Sequence, residues 1–426
     1  MTILLIFLAL VFMILLNVPI AVALAICGVL GILSYEGTNA LVSIGLDMYS
    51  GATSFSLIAI PMFVLAGAIM NAAGITRRLI EFVSALIGFV RGGLAMVNVG
   101  VSLFFAEISG SAVADVAAMG SVMIPEMKRR GYTAPFAAAV TSSSASLAII
   151  IPPSIPMILY GVSSGASIEQ LFLAGLVPGL IGAAGLMALC WYFAKRYDLP
   201  REAAFNMPRL KRTFVSALPT FVLPIVILGG IFGGFFTATE AAGVAVIASI
   251  IVGLWYHETD FPELKRSMLD GAIQTAVVML LVAASVLMGG FLTRAQIPQE
   301  LATALLDFTD SRWAILAILN VFFLVIGFFL HSAAAIILVV PIVVPLISAV
   351  GIDPVHFGLI VTLNLAIGQQ TPPVASVLIT ACSIARANIW DVSKANIGFV
   401  AVLLFVLMLC TYVEPIPMFL VEVVYR

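Results

Sequence analysis

Residues 107–115 read Glu107-Ile108-Ser109-Gly110-Ser111-Ala112-Val113-Ala114-Asp115, and they sit inside a long apolar region. Two carboxylates, two serines and a glycine interrupt a stretch whose flanks suit lipid. A charged side chain at bilayer depth costs at least ~2.5–3.5 kcal/mol, so such residues mark a functional site by default. Ser-Gly-Ser also favours a break in helix over its continuation. We read the stretch as the tip of a hairpin that enters a membrane and turns back. A second tip is expected near His331-Ser332.

Composition sets the frame around that tip. The 426-residue chain is 62% hydrophobic and 9% charged, where an average soluble domain carries about 25% charged residues. No soluble fold covers so much apolar surface. The apolar runs are about 15–28 residues long, helix length for a ~30 Å hydrocarbon core, whereas a β-barrel shows short alternating segments. The expected fold class is therefore an all-α polytopic membrane protein. A net charge of −2 carries no nucleic-acid footprint. Cys27, Cys190, Cys382 and Cys410 lie singly in apolar spans, as packing residues rather than disulfides or metal ligands. No Lys or Arg precedes the first apolar run, so residues 1–16 read as a mature helix and not a cleaved signal peptide.

Taken in order, residues 4–16 and 19–35 read as two short helices broken at Asn17-Val18-Pro19. A polar stretch over 36–54 leads to a crossing over 55–73. Residues 74–91, with Arg77, Arg78, Glu81 and Arg91, suit a helix lying in the interface. The hairpin covers about 92–127 and is basic at both ends, Arg91 and Lys128-Arg129-Arg130, which puts both ends in the cytoplasm. Residues 132–164 read as a broken helix, interrupted at Ser142-Ser143-Ser144 and again at Pro152-Pro153-Ser154. Unwound backbone at that depth is tolerated only where protein buries it or a cavity takes it up. Residues 171–193 return to the cytoplasm, and 195–213, with six basic residues, form a cytoplasmic linker.

The second half reads alike. Crossings are expected over 217–233, 238–256 and 271–292, then a partly polar segment over 293–312 and a second hairpin over about 314–350. A broken helix over 355–382 is interrupted at Asn364, at Gly368-Gln369-Gln370-Thr371 and at Pro372-Pro373, and a last crossing covers 398–412. At an offset of about 220 residues, Pro152-Pro153 falls on Pro372-Pro373, Pro125 on Pro345 and Gly51 on Gly271. With a slip of two, Gly74-Ile75 falls on Gln296-Ile297 and Asn17-Val18-Pro19 on Thr239-Glu240-Ala241. Residues 1–194 and 214–426 are thus expected to be two repeats. Five crossings in each make them inverted, with both chain ends outside. On this topology 16 of the 19 Lys and Arg are cytoplasmic, with only Arg294, Arg312 and Arg426 outside. Inverted repeats with discontinuous helices are a signature of secondary transporters and put substrate and ions at the repeat interface.

Three motifs carry a family resemblance. Glu-Ile-Ser-Gly-Ser-Ala-Val-Ala-Asp at 107–115, Ile-Ile-Pro-Pro-Ser-Ile-Pro-Met at 150–157 and Asn-Leu-Ala-Ile-Gly-Gln-Gln-Thr-Pro-Pro at 364–373 resemble motifs of the large membrane subunit of TRAP transporters. These are the tripartite ATP-independent periplasmic transporters of bacteria and archaea, and the resemblance covers essentially the whole chain. It implies an elevator-type carrier with the ion-transporter superfamily fold: two inverted repeats, two re-entrant hairpins and discontinuous helices, spanning the bacterial inner membrane many times. It implies Na+ at two or more sites, driving import of an organic acid such as a sialic acid (N-acetylneuraminate) or a C4-dicarboxylate. It also implies two protein partners, a small four-helix membrane subunit and a periplasmic substrate-binding protein. The chain departs from the family twice. His331 stands near the second tip, where the family often has an acid, and Ala375 stands where it often has glycine.

Sodium takes hard oxygen ligands, which unwound backbone and half-helix C-termini supply. The first candidate Na+ site lies between Ser109, Gly110 and Ser111 at the tip and Ser143 and Ser144 up to Pro152, with Asp115 either ligating or orienting the tip. The second sets Gly327 and Ser332 against Gly368 and Thr371, Thr371 offering both a hydroxyl and a carbonyl. Candidate substrate-binding residues are Glu107, Pro152, Ser154, Asn364, Gln369, Gln370, Thr371 and Pro372. Each has a plainer reading. Serines let membrane helices pack closely; Glu107 also suits a cap of the turn; His331 suits a neutral packing residue as well as a ligand; Glu240 suits a helix cap. No arginine falls at the midplane, so an acidic substrate is left to helix N-termini and hydroxyls unless Arg294 or Arg312 reaches in. Gly161-Val162-Ser163-Ser164-Gly165 matches the nucleophile elbow of hydrolases but joins two membrane helices, so no enzyme is expected. Two other readings stay open: a symporter of the same superfamily that needs no binding protein, and an ion channel.

Overall fold

In a computed structural model of the chain, every regular element among the described residues is helical. The structure describes all but residues 1, 17, 200, 202, 203, 257–260, 310, 373 and 426, and leaves out the side chains of 2, 4, 11, 15, 41, 107–109, 263 and 267. Nine helices among the described residues are long and apolar enough to cross a membrane.

α1 (Thr2–Leu15) and α2 (Ile20–Glu36) flank the expected break, of which Asn17 lies outside the described residues. The polar stretch after α2 is more than a connection. It forms a 3-10 turn and then α3 (Leu41–Ala52), because Ile44 and Met48, four apart, share a face that packs on the core. α4 (Ala59–Ala72) follows. α5 (Ile75–Ile87) is amphipathic as read: Ile75, Leu79, Phe82 and Val83 are buried, while exposed Arg77 pairs with Glu81 at 3.2 Å. The hairpin is α6 (Gly93–Ser109) and α7 (Ala112–Arg129), turned at Gly110. The broken helix is α8 (Ala134–Ala145), a 3-10 turn (Ser146–Ile149) and α9 (Ile155–Ser164), before α10 (Ile168–Arg196).

The second half runs α11 (Met207–Phe232), α12 (Ala238–Tyr256), α13 (Phe261–Arg294), α14 (Ile297–Phe308), the hairpin α15 (Arg312–Phe329) and α16 (Ser332–Ala349), the broken pair α17 (Pro354–Gly368) and α18 (Ser376–Ala385), then α19 (Ile389–Tyr412) and α20 (Pro415–Tyr425). Thr237 and Glu240 cap α12 reciprocally, through Thr237 N–H to Glu240 at 2.9 Å and Glu240 N–H to Thr237 at 3.3 Å, the capping role read for Glu240.

Four expectations need correction. Ser142, Ser143 and Ser144 do not interrupt the helix; they lie within α8. The hydroxyls of Ser142 and Ser144 donate back to the carbonyls of Ala139 and Thr141, each at 3.1 Å, so serines stay helical where no water competes. Asn364 likewise lies inside α17. The linker is shorter than 195–213, because α10 runs to Arg196 and Asn206 caps α11, accepting from Arg209 N at 3.0 Å. α20 was not expected after the last crossing; its Pro415 and Pro417 read as punctuation, yet Pro415 suits a first helical turn.

The helices pack in two sets. α2, α4, α12 and α13 form one, with α13 crossing both α2 and α4. Small residues allow this close approach. A Cβ at Gly28 of α2 would fall 2.7 Å from the backbone nitrogen of Met288 on α13. The other set gathers α6 to α10 with α15 to α19. Within it α9 packs on α16 and α18 packs on α7, so the helix after each break leans on the hairpin of the other half. The amphipathic helices α5 and α14 run between the sets, α5 touching α6 and α11, α14 touching α13 and α16.

One backbone conformation is costly. Ala375, just before α18, has φ 44 and ψ 56, in the left-handed region, which costs an L-residue with a Cβ roughly 1–2 kcal/mol. Glycine, which the resemblance leads one to expect here, has no such cost. Replacing Ala375 by glycine is predicted to raise stability by about 1 kcal/mol, after the loss of one methyl is set against the relief. A thermal melt of the purified variant checks this; an equal or lower Tm contradicts it.

Candidate functional site

The first break is held by few bonds. The N–H groups of Ile150 and Ile151 both reach the carbonyl of Leu147, at 3.0 and 2.8 Å, and Pro152 and Pro153 bring no N–H at all. Ser154 joins the two ends. Its hydroxyl donates to Ile149 O at 2.6 Å and accepts from Met157 N at 3.4 Å, capping α9. The tip of the first hairpin lies directly on this break. Gly110 has φ 57, and a Cβ there would sit 2.8 Å from Pro153 O and 3.1 Å from Ile155 N. Both conformation and space call for glycine. Ser111 caps α7, accepting from Ala114 N at 3.5 Å.

The second break repeats the arrangement. Thr371 N–H reaches Gly368 O at 2.9 Å and the Thr371 hydroxyl reaches Ile367 O at 3.1 Å. The second hairpin closes over it: a Cβ at Gly368 would lie 2.5 Å from Gly327 Cα, and Val374 N donates to Phe328 O at 3.2 Å. His331 takes the capping position of α16, its Nδ1 accepting from Ala333 N at 3.5 Å. That geometry fits a neutral imidazole and explains how a histidine stands at this tip. Ser332, 1% exposed, opens α16. Gln369 bonds locally, to Leu365 O at 3.3 Å and from Ser376 at 3.4 Å.

The two breaks also touch each other. Ser143 of α8 lies 2.7 Å from Gln370 Oε1 and 2.6 Å from Asn396 Oδ1 of α19, and Gln370 Nε2 donates to Ser146 at 2.5 Å. All four are at most 1% exposed. Ser143 therefore belongs with Gln370 across the two halves, a pairing the residue order did not suggest. Ser144 also reaches the first hairpin arm, accepting from Ser102 at 2.8 Å and lying 3.2 Å from Asn98 Oδ1. Asn364 does the same on the other side, donating to Asn320 at 2.7 Å. Asn364 Oδ1 is buried and has no partner among the described residues. Asp115 is fully buried in the first turn of α7. The side chains of Glu107 and Ser109, and Pro373, lie outside the described residues.

Sequence reasoning missed Asn98, Ser102, Ser146, Asn320 and Asn396. A lone amide or hydroxyl in an apolar run was the only signal, and its partners lie far away in the chain. Gly161 to Ser164 form the last turn of α9, with the Ser164 hydroxyl donating to Tyr160 O at 2.8 Å, so the elbow-like motif sits on a helix rather than between strand and helix.

The tips and breaks gather helix ends of both signs. α7, α9, α16 and α18 present N-termini; α6, α15, α17 and the 3-10 turn present C-termini. Each end carries about half an elementary charge. N-termini suit an anion, and free carbonyls with hydroxyls suit a hard cation. Of Arg294 and Arg312, Arg312 is paired with Glu414 at 2.7 Å, and Arg294 borders a separate cleft.

Comparison with known proteins shows the family. The family model described as Tripartite ATP-independent periplasmic transporter, DctM component, matches residues 7–416. The Isethionate TRAP transporter permease protein DctMQ of Oleidesulfovibrio alaskensis is 38% identical over 405 residues, 95% of this chain and 64% of that protein, so the chain spans about two thirds of its length. The 2,3-diketo-L-gulonate TRAP transporter large permease protein YiaN of Escherichia coli is 36% identical over 398 residues, 93% of each chain. The Sialic acid TRAP transporter large permease protein SiaM of Vibrio cholerae is 39% identical over 340 residues, 78% of each. The crystal structure of the YdaH transporter of Alcanivorax borkumensis, described as having an unusual topology, aligns over 90% of both chains with a TM-score of 0.65 and 13% identity, a likeness of fold alone. The chain belongs to the DctM family, the large permease component of tripartite ATP-independent periplasmic transporters.

Proposed function

We propose that this chain is the large membrane subunit of a sodium-coupled importer of an organic acid. The observation that carries the proposal is the repeated geometry, a hairpin tip lying on a helix break, found at Gly110 against Pro153 and at Gly327 against Gly368. Such breaks supply free carbonyls for Na+ and helix N-termini for an anion. The relatives named for isethionate, 2,3-diketo-L-gulonate and sialic acid all take organic anions, and we extend that class to this chain. N-acetylneuraminate and C4-dicarboxylates are the first cargoes to test. The chain then works in the bacterial inner membrane with a small four-helix subunit and a periplasmic binding protein. The two halves are inverted repeats, as the charge distribution suggests. The unit of α6 to α10 and α15 to α19 moves as an elevator past α2, α4, α12 and α13, with α5 and α14 as its arms. Two packed bodies joined by amphipathic helices support that motion.

Uptake into proteoliposomes tests the reading. Transport is expected to need an inward sodium gradient and the cognate binding protein. Uptake without the binding protein would favour the self-sufficient symporter, and passive conductance would favour a channel.

Ser109, Ser111, Asp115 and Thr371 are the groups proposed to serve sodium coupling. Alanine at Ser111 or Thr371 is predicted to weaken apparent sodium affinity about tenfold, the loss of roughly one charge-assisted bond. Sodium titrations of uptake, with expression checked, decide it, and unaltered sodium dependence in all four alanine variants would sink the assignment.

The Ser143–Gln370–Asn396 contact makes a separate prediction. Asn396→Ala leaves buried acceptors and donors short of partners, at a cost of about 1–3 kcal/mol. The Tm of this variant is expected to fall by several degrees, whereas an unchanged melt would show that the lattice contributes little.

A further inference from the structure

His356 is fully buried in the first turn of α17. Its Nε2 lies 2.7 Å from the carbonyl of Cys410, third from the end of α19. A carbonyl can only accept, so Nε2 carries the ring's proton and Nδ1 is a bare lone pair. Nδ1 has no hydrogen-bond partner among the described residues. It lies 4.0 Å from Oε1 of Glu414, in the turn between α19 and α20, while Oε2 of the same carboxylate holds Arg312 Nη2 at 2.7 Å. A bare acceptor facing a carboxylate lacks one thing, a proton between them.

Packing alone does not ask for these groups. At the offset of 220 residues, Arg312, His356, Cys410 and Glu414 fall on Gly92, Phe136, Cys190 and Ala194. There the corner closes with apolar groups. A Cβ at Gly92 would run into Ala194 and come 3.7 Å from Cys190 O, and Phe136 packs edge-on to Phe193 at 5.9 Å. The caps correspond too, Thr133 for α8 and Asp353 for α17. The second half, whose corner the charge distribution puts outside, thus sets Arg, His and Glu where the first sets Gly, Phe and Ala.

The elements packed on α17 bring three charged groups to this ring: Glu414 from the α19–α20 turn, Arg312 from α15 and Asp353 from the cap of α17 itself. Two carboxylates and one guanidinium leave one negative charge over, which an imidazolium would balance. Asp353 accepts from Val355 N and His356 N at 2.8 and 3.1 Å, so it offsets the positive end of α17, and the end of α19 puts negative dipole behind Nε2. Burial and Arg312 work the other way and hold the ring neutral in this structure. The Tyr160 phenol of α9 is spent on Pro354 O at 2.8 Å, Glu169 of α10 accepts from Ser167 at 2.8 Å, and α16 carries no titratable side chain. The Glu414 and Arg312 side chains are 32% and 30% exposed, which gives a proton a way in.

We propose that Nδ1 of His356 is a proton-binding site at the outer end of this chain. With a proton taken from the outer solution, Nδ1–H donates to Glu414 Oε1 after a shift of about 1 Å, while Oε2 keeps Arg312. The proton completes a bridge from the first residue of the second hairpin, through Glu414, to the helix that runs into the second break. Acid closes that corner and alkali opens it. The site rests on this cluster and not on the cargo or the sodium proposed above.

Histidine-only 15N labelling of the full chain in liposomes tests it by solid-state NMR. The chain has three histidines, His257, His331 and His356. His356→Phe copies Phe136 of the first half, so it is expected to fold and to assign the His356 signals by their loss. If it does not fold, His257→Asn and His331→Asn assign them by elimination. At about pH 8, Nε2 of His356 is expected to bear a proton and Nδ1 to be bare; by about pH 5 both should bear one. Glu414→Gln removes the counter-charge and keeps the shape, and it is expected to move the midpoint down by about one pH unit or more. An Nδ1 that stays bare down to about pH 5 overturns the proposal. So does a midpoint that Glu414→Gln leaves in place, because the proton would then not bridge to that carboxylate.

Discussion

Backbone that leaves a helix at membrane depth must find its partners inside the protein, because lipid offers none. This chain has two such breaks outside its hairpin tips, after Ile149 and after Gly368, and the rest of the fold answers that constraint. Each break is covered by a hairpin tip that comes close enough to touch backbone, which is why glycine occupies positions 110, 327 and 368. Ser154 takes up the carbonyl of Ile149 at the first break, and Thr371 adds a second bond to the carbonyl of Ile367 at the other. Each buried polar group left unpaired costs roughly 1–3 kcal/mol by mutational measures, so this covering is a condition of folding as well as of function.

The second consequence is a neutral polar lattice. Asn98 with Ser144, and Asn320 with Asn364, tie each hairpin arm to the broken helix beside it, and the two pairs are related by nearly the same offset of about 220 residues. Ser143, Gln370, Ser146 and Asn396 then join one half to the other. Amides and hydroxyls do this at modest energy, about 0.6–2 kcal/mol per bond in membrane proteins, and without the desolvation cost of ionised groups.

Much of this was legible in the sequence, for physical reasons that differ by residue. Pro152-Pro153 and Pro372-Pro373 announce breaks because proline lacks the N–H that a helix needs. Ser109-Gly110-Ser111 announces a turn, and the basic flanks of the hairpin give it a side. Ser142 and Ser144 misled, because their hydroxyls can satisfy themselves on the preceding turn and leave the helix whole. Asn364 misled in the same direction. Its amide donates to Asn320 on the hairpin arm and to Ile360 O of its own helix, which keeps the residue helical. Asn396 carries no local signal, since its partners Ser143 and Gln370 are 253 and 26 residues away. The left-handed backbone at Ala375 was visible only as a departure from the family's usual glycine.

The central claim is that the two covered breaks hold sodium, and equilibrium binding tests it most directly. Radioactive sodium titrated onto the purified, folded chain should bind saturably and cooperatively, with two or more ions per chain. A monodisperse, folded sample that binds no sodium saturably would contradict the account.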